Sequence, residues 1–201
     1  MQKRALETQT KILAAARDVF SAQGFHGATI DEIALAAQVN KQRIYAYFHN
    51  KEGLFAAVLK DCFQAIVTAE KSFFNLLDED IPHLGEILLR HYLAFHEQHP
   101  YFWRLIAWEN LDGGKHIAVL EGLRDQAFAH LRELYRKGQK MAIYSQTVSF
   151  ETFIYVLSAI SYFYYSNQHT LVKTLNLNLF DPAIRDWIME QSLKLIFPKG
   201  R

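Results

Sequence analysis

The chain carries 201 residues, half of them apolar and 14% aromatic, with a formal net charge of +1. That composition supplies a large core and excludes intrinsic disorder, and the near-zero charge argues against sequence-blind coating of nucleic acid. Cys62 is the single cysteine, which excludes an intrachain disulfide and suits a reducing compartment, so a cytoplasmic location is expected.

The N-terminus lacks the apolar h-region of a signal peptide. The most apolar run, Phe150 to Tyr165, is interrupted by Glu151, Thr152, Ser158 and Ser161 and falls short of a membrane span, so no membrane partner is expected. A short basic arm, Met1 to Arg4, precedes the first helix. Ile12, Ala15, Ala16, Val19 and Phe20 then recur at helical spacing and give that helix one apolar stripe. Gly24 is expected to end it.

Thr29 followed three residues later by Glu32 is a capping box for a second helix, on which Ile33, Ala34 and Ala37 share a face. Gln38-Val39-Asn40 is long enough only for a turn, and Asn40 is a good N-cap for a third helix. Ile44 and Phe48 form its inner face. Lys41, Gln42, Arg43, Tyr45 and Tyr47 point outward, a set of cations, an amide and phenols suited to a nucleic-acid groove. Gln42 can pair bidentately with adenine, and Arg43 with guanine. Tyr45 either stacks on sugar and methyl groups or covers the helix pair. Tyr47, at a helix end, is suited to a phosphate. Residues 1 to 51 hold seven Lys/Arg against four Asp/Glu, a local bias that fits a site-specific DNA reader.

Asn50 caps a fourth helix with Lys51 in its first turn, and the apolar pattern extends it to about Leu77. Helix five runs from Pro82 to about His99, and Pro100 opens a ring-rich sixth. After Asp112-Gly113-Gly114, a seventh helix is expected from His116 to Lys137, stopped by Gly138. Ser149 to Gln168 forms the eighth, and Asp181-Pro182 begins the last, with Ile184, Trp187, Ile188 and Leu195 inward. The sequence therefore reads as all-α, with about nine helices: a helix-turn-helix domain over 1–50 and a larger helical domain over 51–201.

The eighth helix is apolar nearly all round, which suits packing on its own domain and on a partner at once. A fully buried central helix of a monomer is the other reading. The aromatics of helices four to eight exceed what a small helical core requires. Phe63, Phe95, His96, Trp103, Trp108, Phe128, Tyr155 and Phe163 are the candidates for lining a ligand pocket, although packing alone also accounts for such residues. His91, His96 and His99 with Glu97 make no evident metal-ligand set, and no metal or cofactor is expected. No catalytic motif is found, so the chain is not read as an enzyme.

The order Thr-x4-Ala-x2-Ala-x-Val-Asn-Lys-x2-Ile-Tyr-x-Tyr-Phe-x-Asn-Lys-Glu-x-Leu, beginning at Thr29 within residues 8 to 58, resembles the DNA-binding domain of the TetR family of bacterial transcriptional regulators. The family usually places glycine in the turn where this chain has Gln38, so a non-glycine residue at positive φ is expected there. The resemblance implies DNA contacts from Thr29, Lys41, Gln42, Arg43, Tyr45, Tyr47 and Lys51 on a palindromic, double-stranded operator. It also implies a homodimer through the last two helices and a small-molecule effector in the larger domain, with repression relieved by that effector. A DNA-dependent scaffold of the same fold that recruits a protein partner, with no small-molecule effector, is the alternative.

Overall fold

The computed structural model describes residues 2–197; of Gln2 the backbone alone is described. Among the described residues the fold is all-α, with no strand. The helices are α1 Gln2–Gly27, α2 Ile30–Ala37, α3 Lys41–Phe48, α4 Lys51–Ala69, α5 Leu84–Gln98, α6 Pro100–Leu111, α7 Asp125–Lys140, α8 Phe150–Ser166, α9 Gln168–Thr174 and α10 Pro182–Ile196. Short 3-10 helices cover Glu70–Asn75, Asp78–His83 and Ile117–Leu120. The chain divides into two compact units, one of residues 1–68 and 100–123, the other of residues 69–99 and 124–201.

In the first unit, α1 packs on α2 and α6. Its stripe buries Ile12, Ala16 and Phe20 completely. Gly24 breaks the helical path with φ 72°, and a Cβ there would lie 2.8 Å from the Trp108 ring, so the close approach of that ring requires glycine. Helix α1 begins at Gln2, so Lys3 and Arg4 lie in a helix and not in an extended arm; Met1 lies outside the described residues.

In the second unit, α5 packs on α8 and α10, and α7 packs on α8 and on the 3-10 helices that precede α5. Several boundaries differ from the sequence expectation. The fourth helix stops at Ala69, because the chain tightens into a 3-10 turn that carries Glu70 into the interior. Pro82 falls inside a 3-10 helix, and α5 begins two residues later. Residues 116–124 do not join the seventh helix: Gly122 has φ 73° and Ile117–Leu120 is a separate 3-10 turn. Gly138 lies within α7 instead of stopping it, because the Tyr144 ring passes 2.4 Å from where a Cβ would stand. Helix α8 ends at Ser166, and the short α9 follows it.

The last helix keeps its expected cap: the Asp181 carboxylate accepts from the Ala183 N–H at 2.9 Å, with Pro182 in the first turn. Its expected inner stripe is wrong. Trp187 is 50% and Leu195 84% exposed, while Ile184 and Ile188 are half-buried and Met189 is buried. No helix of the described residues is long and apolar enough to cross a membrane.

Candidate nucleic-acid interface

Each helix of the pair α2–α3 is started by a side-chain cap. Thr29 Oγ1 accepts from the Glu32 N–H at 3.2 Å, and Glu32 Oε2 accepts from the Thr29 N–H at 3.0 Å, closing the reciprocal box. Gln38 ends α2 in the left-handed region (φ 52°, ψ 45°), and its N–H reaches the Leu35 carbonyl at 3.0 Å. Non-glycine residues occupy this region at modest cost, so the turn keeps the glycine-type geometry without glycine. Lys11 Nζ donates to Gln38 Oε1 at 3.2 Å, which ties the turn to α1.

Asn40 then accepts from the Gln42 N–H at 2.9 Å and starts α3. Ile44 is completely buried under this helix, whereas Phe48 is only half-buried. The opposite face holds Lys41, Gln42, Arg43 and Tyr45, all exposed, with Tyr47 half-buried beside Phe48. Lys41 Nζ pairs with Asp31 at 3.0 Å, and this hydrogen bond raises the ammonium pKa. Asp31 is thus a neighbour of the outward face that sequence spacing did not single out. Any phosphate taken by Lys41 competes with it.

The start of α4 is built the same way. Asn50 Oδ1 accepts from the Gly53 N–H at 2.7 Å, and Lys51 lies with its ammonium 4.7 Å from the centre of the Phe25 ring. A Cβ on Gly53 would stand 2.2 Å from the Phe48 carbonyl oxygen, so the α3–α4 junction closes only on glycine. The Asn40 cap at its start and the completely buried Ile44 hold α3 with its cationic, amide-bearing edge outward.

Residues 12–58 match the bacterial regulatory proteins of the tetR family, and residues 86–196 match the tetracyclin repressor-like C-terminal domain. The HTH-type transcriptional repressor NicS of Pseudomonas putida is 33% identical over 195 residues, with 92% of this chain and 89% of NicS covered. The chain belongs to the TetR family. The HTH-type transcriptional repressor SCO4008 of Streptomyces coelicolor is 31% identical, over 77% of this chain and 76% of its own length. Among solved structures, the transcriptional regulator SCO4942 of the same organism superposes with a TM-score of 0.68 at 26% identity, covering 96% of this chain and 99% of its own. The N-terminal helix-turn-helix is accordingly the DNA-binding domain of a TetR-family transcriptional regulator.

The eight ring-bearing and histidine positions considered for a ligand are divided between the two units. Phe63, Trp103 and Trp108 belong to the first unit, and Phe95, His96, Phe128, Tyr155 and Phe163 to the second. Phe63 packs beside Phe102 with ring centres 5.1 Å apart and ring planes tilted by 50°. Trp108 is 40% exposed, and Tyr155 and Phe163 project outward from α8 at 73% and 53% exposure. Phe95 and His96 are buried, and burial pushes the His96 pKa down to about 4. Phe128 stacks beneath the Arg124 guanidinium at 4.3 Å.

Sequence spacing missed the network that Arg124 makes. Its Nε donates to Glu70 Oε2 at 3.0 Å and a terminal nitrogen donates to the other Glu70 oxygen, while the same nitrogen lies 3.2 Å from the Tyr92 hydroxyl. Glu70 is fully buried. The partners are 54 residues apart, so no local pattern links them. Among the described residues, no group of three or more His, Cys, Asp or Glu side chains is placed to hold a metal.

Proposed function

We propose that this TetR-family chain is a homodimeric repressor that reads a palindromic operator through α3 and releases it on binding a small-molecule effector. The observation that carries the reading is the outward face of α3: Lys41, Gln42, Arg43 and Tyr45 stand exposed on a helix whose inner residue, Ile44, is completely buried. In this reading residues 1–50 form the DNA-reading part and residues 51–201 the effector and dimerisation part, and the protein acts in the cytoplasm. Gln42 and Arg43 read base edges. Thr29, Lys41, Tyr47 and Lys51 position the helix on phosphates, and Tyr45 packs on sugar or methyl groups.

The dimer is supported by the apolar surface of the last helices. Tyr155 and Phe163 lie eight residues apart on α8, and Trp187 and Leu195 eight apart on α10, all at least half exposed. A monomer would leave these rows of large apolar side chains in water. Two copies joined there carry two recognition helices, which matches half-sites about 34 Å apart on DNA. The effector binds in the part beyond residue 50 and biases the DNA-competent form through its difference in affinity for the two states.

Selection of DNA on the purified protein, followed by footprinting, tests the reading. Recovery of a palindrome is expected, with Gln42→Ala relaxing the sequence choice and Tyr47→Phe or Lys51→Ala weakening all DNA alike. Equal, sequence-blind losses for all of these variants would refute the assigned roles. Trp187→Glu is expected to yield monomers by analytical ultracentrifugation.

A further inference from the structure

Three consecutive residues at the end of α1 are each met by the segment that closes α6 and leaves it, all within the first unit. The Trp108 ring covers Gly24. The His116 ring lies 5.2 Å from the Phe25 ring, centre to centre, and 5.0 Å from that of Phe55 on α4. Asp112 Oδ1 lies 3.1 Å from His26 Nε2 and also takes the Lys115 ammonium at 3.0 Å.

A buried carboxylate fixes the histidine. Glu109 is 1% exposed; its Oε1 accepts from the His116 backbone N–H at 2.5 Å, and its Oε2 lies 3.0 Å from the His116 ring Nδ1. An ionised carboxylate only accepts, so Nδ1 carries the proton. Because a buried carboxylate is costly to leave unpaired, both oxygens hold the return of the chain from Glu109 to His116 in one geometry. On α4, Phe55 stands four residues after Lys51 and therefore on the same face. The Lys51 ammonium lies 4.7 Å from the centre of the Phe25 ring. His116 thus packs beside the ring on which this ammonium rests and beside the ring one turn further along α4.

We propose that His116 is a positioning residue for DNA binding: clamped by Glu109, it seats the Phe25 ring on which Lys51 is held ready for a phosphate. The inference rests on the phosphate role proposed for Lys51 above. A long cation that is free in solvent gives up rotamers when it meets a phosphate, whereas one already held on a ring face gives up fewer. Removing the histidine ring loosens Phe25, returns that freedom to Lys51, and weakens binding to DNA of any sequence. His116 acts through Phe25 and touches no DNA itself.

Fluorescence anisotropy of a labelled random-sequence DNA duplex, titrated with the full chain at several salt concentrations below the melting transition, tests the proposal. Lys51→Ala is expected to weaken binding about tenfold and to lower the slope of log K against log[salt] by about 1. His116→Asn keeps an N–H donor near the place of Nδ1 and deletes the ring carbons beside Phe25 and Phe55, and it is expected to weaken binding about fivefold. Phe25→Leu leaves the Glu109–His116 clasp in place and is expected to weaken binding by a similar factor. The double variant His116→Asn with Lys51→Ala decides the matter: it is expected to bind within about twofold of Lys51→Ala alone. A histidine that only held the fold together would act independently of Lys51, and the two losses would multiply to about fiftyfold. Multiplying losses would overturn the inference and leave the DNA-reading function standing. So would parent-like binding by both His116→Asn and Phe25→Leu when Lys51→Ala is weakened. Parent-like binding by Lys51→Ala would instead remove the phosphate role from the proposed function, and this inference with it.

Discussion

The Glu70–Arg124 pair sets a quantitative test of what holds the second unit together. Glu70 is fully buried, both of its oxygens meet Arg124, and the guanidinium also contacts Tyr92 and lies over Phe128. Glu70→Gln keeps the volume but replaces an acceptor with an N–H₂ facing another N–H donor, and it leaves the half-buried guanidinium without its counter-charge. Breaking a buried pair from one side costs about 3–5 kcal/mol. For a chain of this length that corresponds to a fall in Tm of about 10 °C. Tyr92→Phe removes only the third contact, a loss of about 1 kcal/mol.

The double replacement Glu70→Leu with Arg124→Met separates the pair from its surroundings. With neither charge left, the desolvation cost disappears, and stability is expected to return to within about 1–2 kcal/mol of the parent or to exceed it. Urea unfolding followed by circular dichroism, on the parent, Glu70→Leu, Arg124→Met and the double variant at one ionic strength, completes the double-mutant cycle. A single Glu70→Gln variant as stable as the parent, or single-variant losses that simply add in the double variant, would refute this account.

Other substitutions test the remaining local geometry. Gly53→Ala puts a Cβ 2.2 Å from the Phe48 carbonyl, and overpacking of that kind is expected to cost about 1–3 kcal/mol by urea denaturation while weakening operator binding. His96 has its folded pKa lowered by burial to about 4, below the ordinary value of 6.5, so the unfolded chain binds more protons between these values. Stability present at pH 7 is therefore lost as pH falls from about 6.5 toward 4, by at most about 3 kcal/mol, and His96→Gln is expected to flatten that slope in pH-dependent melts. Burial pushes the Cys62 thiol up to about 12, so it is expected to resist iodoacetamide in the folded protein and to label at once in denaturant, as mass spectrometry would show.

What could be read from the sequence divides by the range of the interactions involved. The Thr29–Glu32 box, the Asn40 cap and the left-handed Gln38 are set by residues within four positions of one another, so spacing alone located α2, the turn and α3. Gly138 illustrates the opposite case. As a local signal it marks a helix end, but it sits inside α7 because the Tyr144 ring approaches it from beyond the helix. The Glu70–Arg124 pair depends on contacts between distant segments, and no periodicity encodes it. The inner stripe assigned to α10 failed for a related reason. Apolar spacing shows that a face avoids water, but not which molecule covers it, and in a single chain Trp187 and Leu195 remain exposed. In the proposed dimer the rows on α8 and α10 acquire a burial partner. The residues that a monomeric core would have left polar are the ones through which the proposed dimer fixes the distance between its two reading helices.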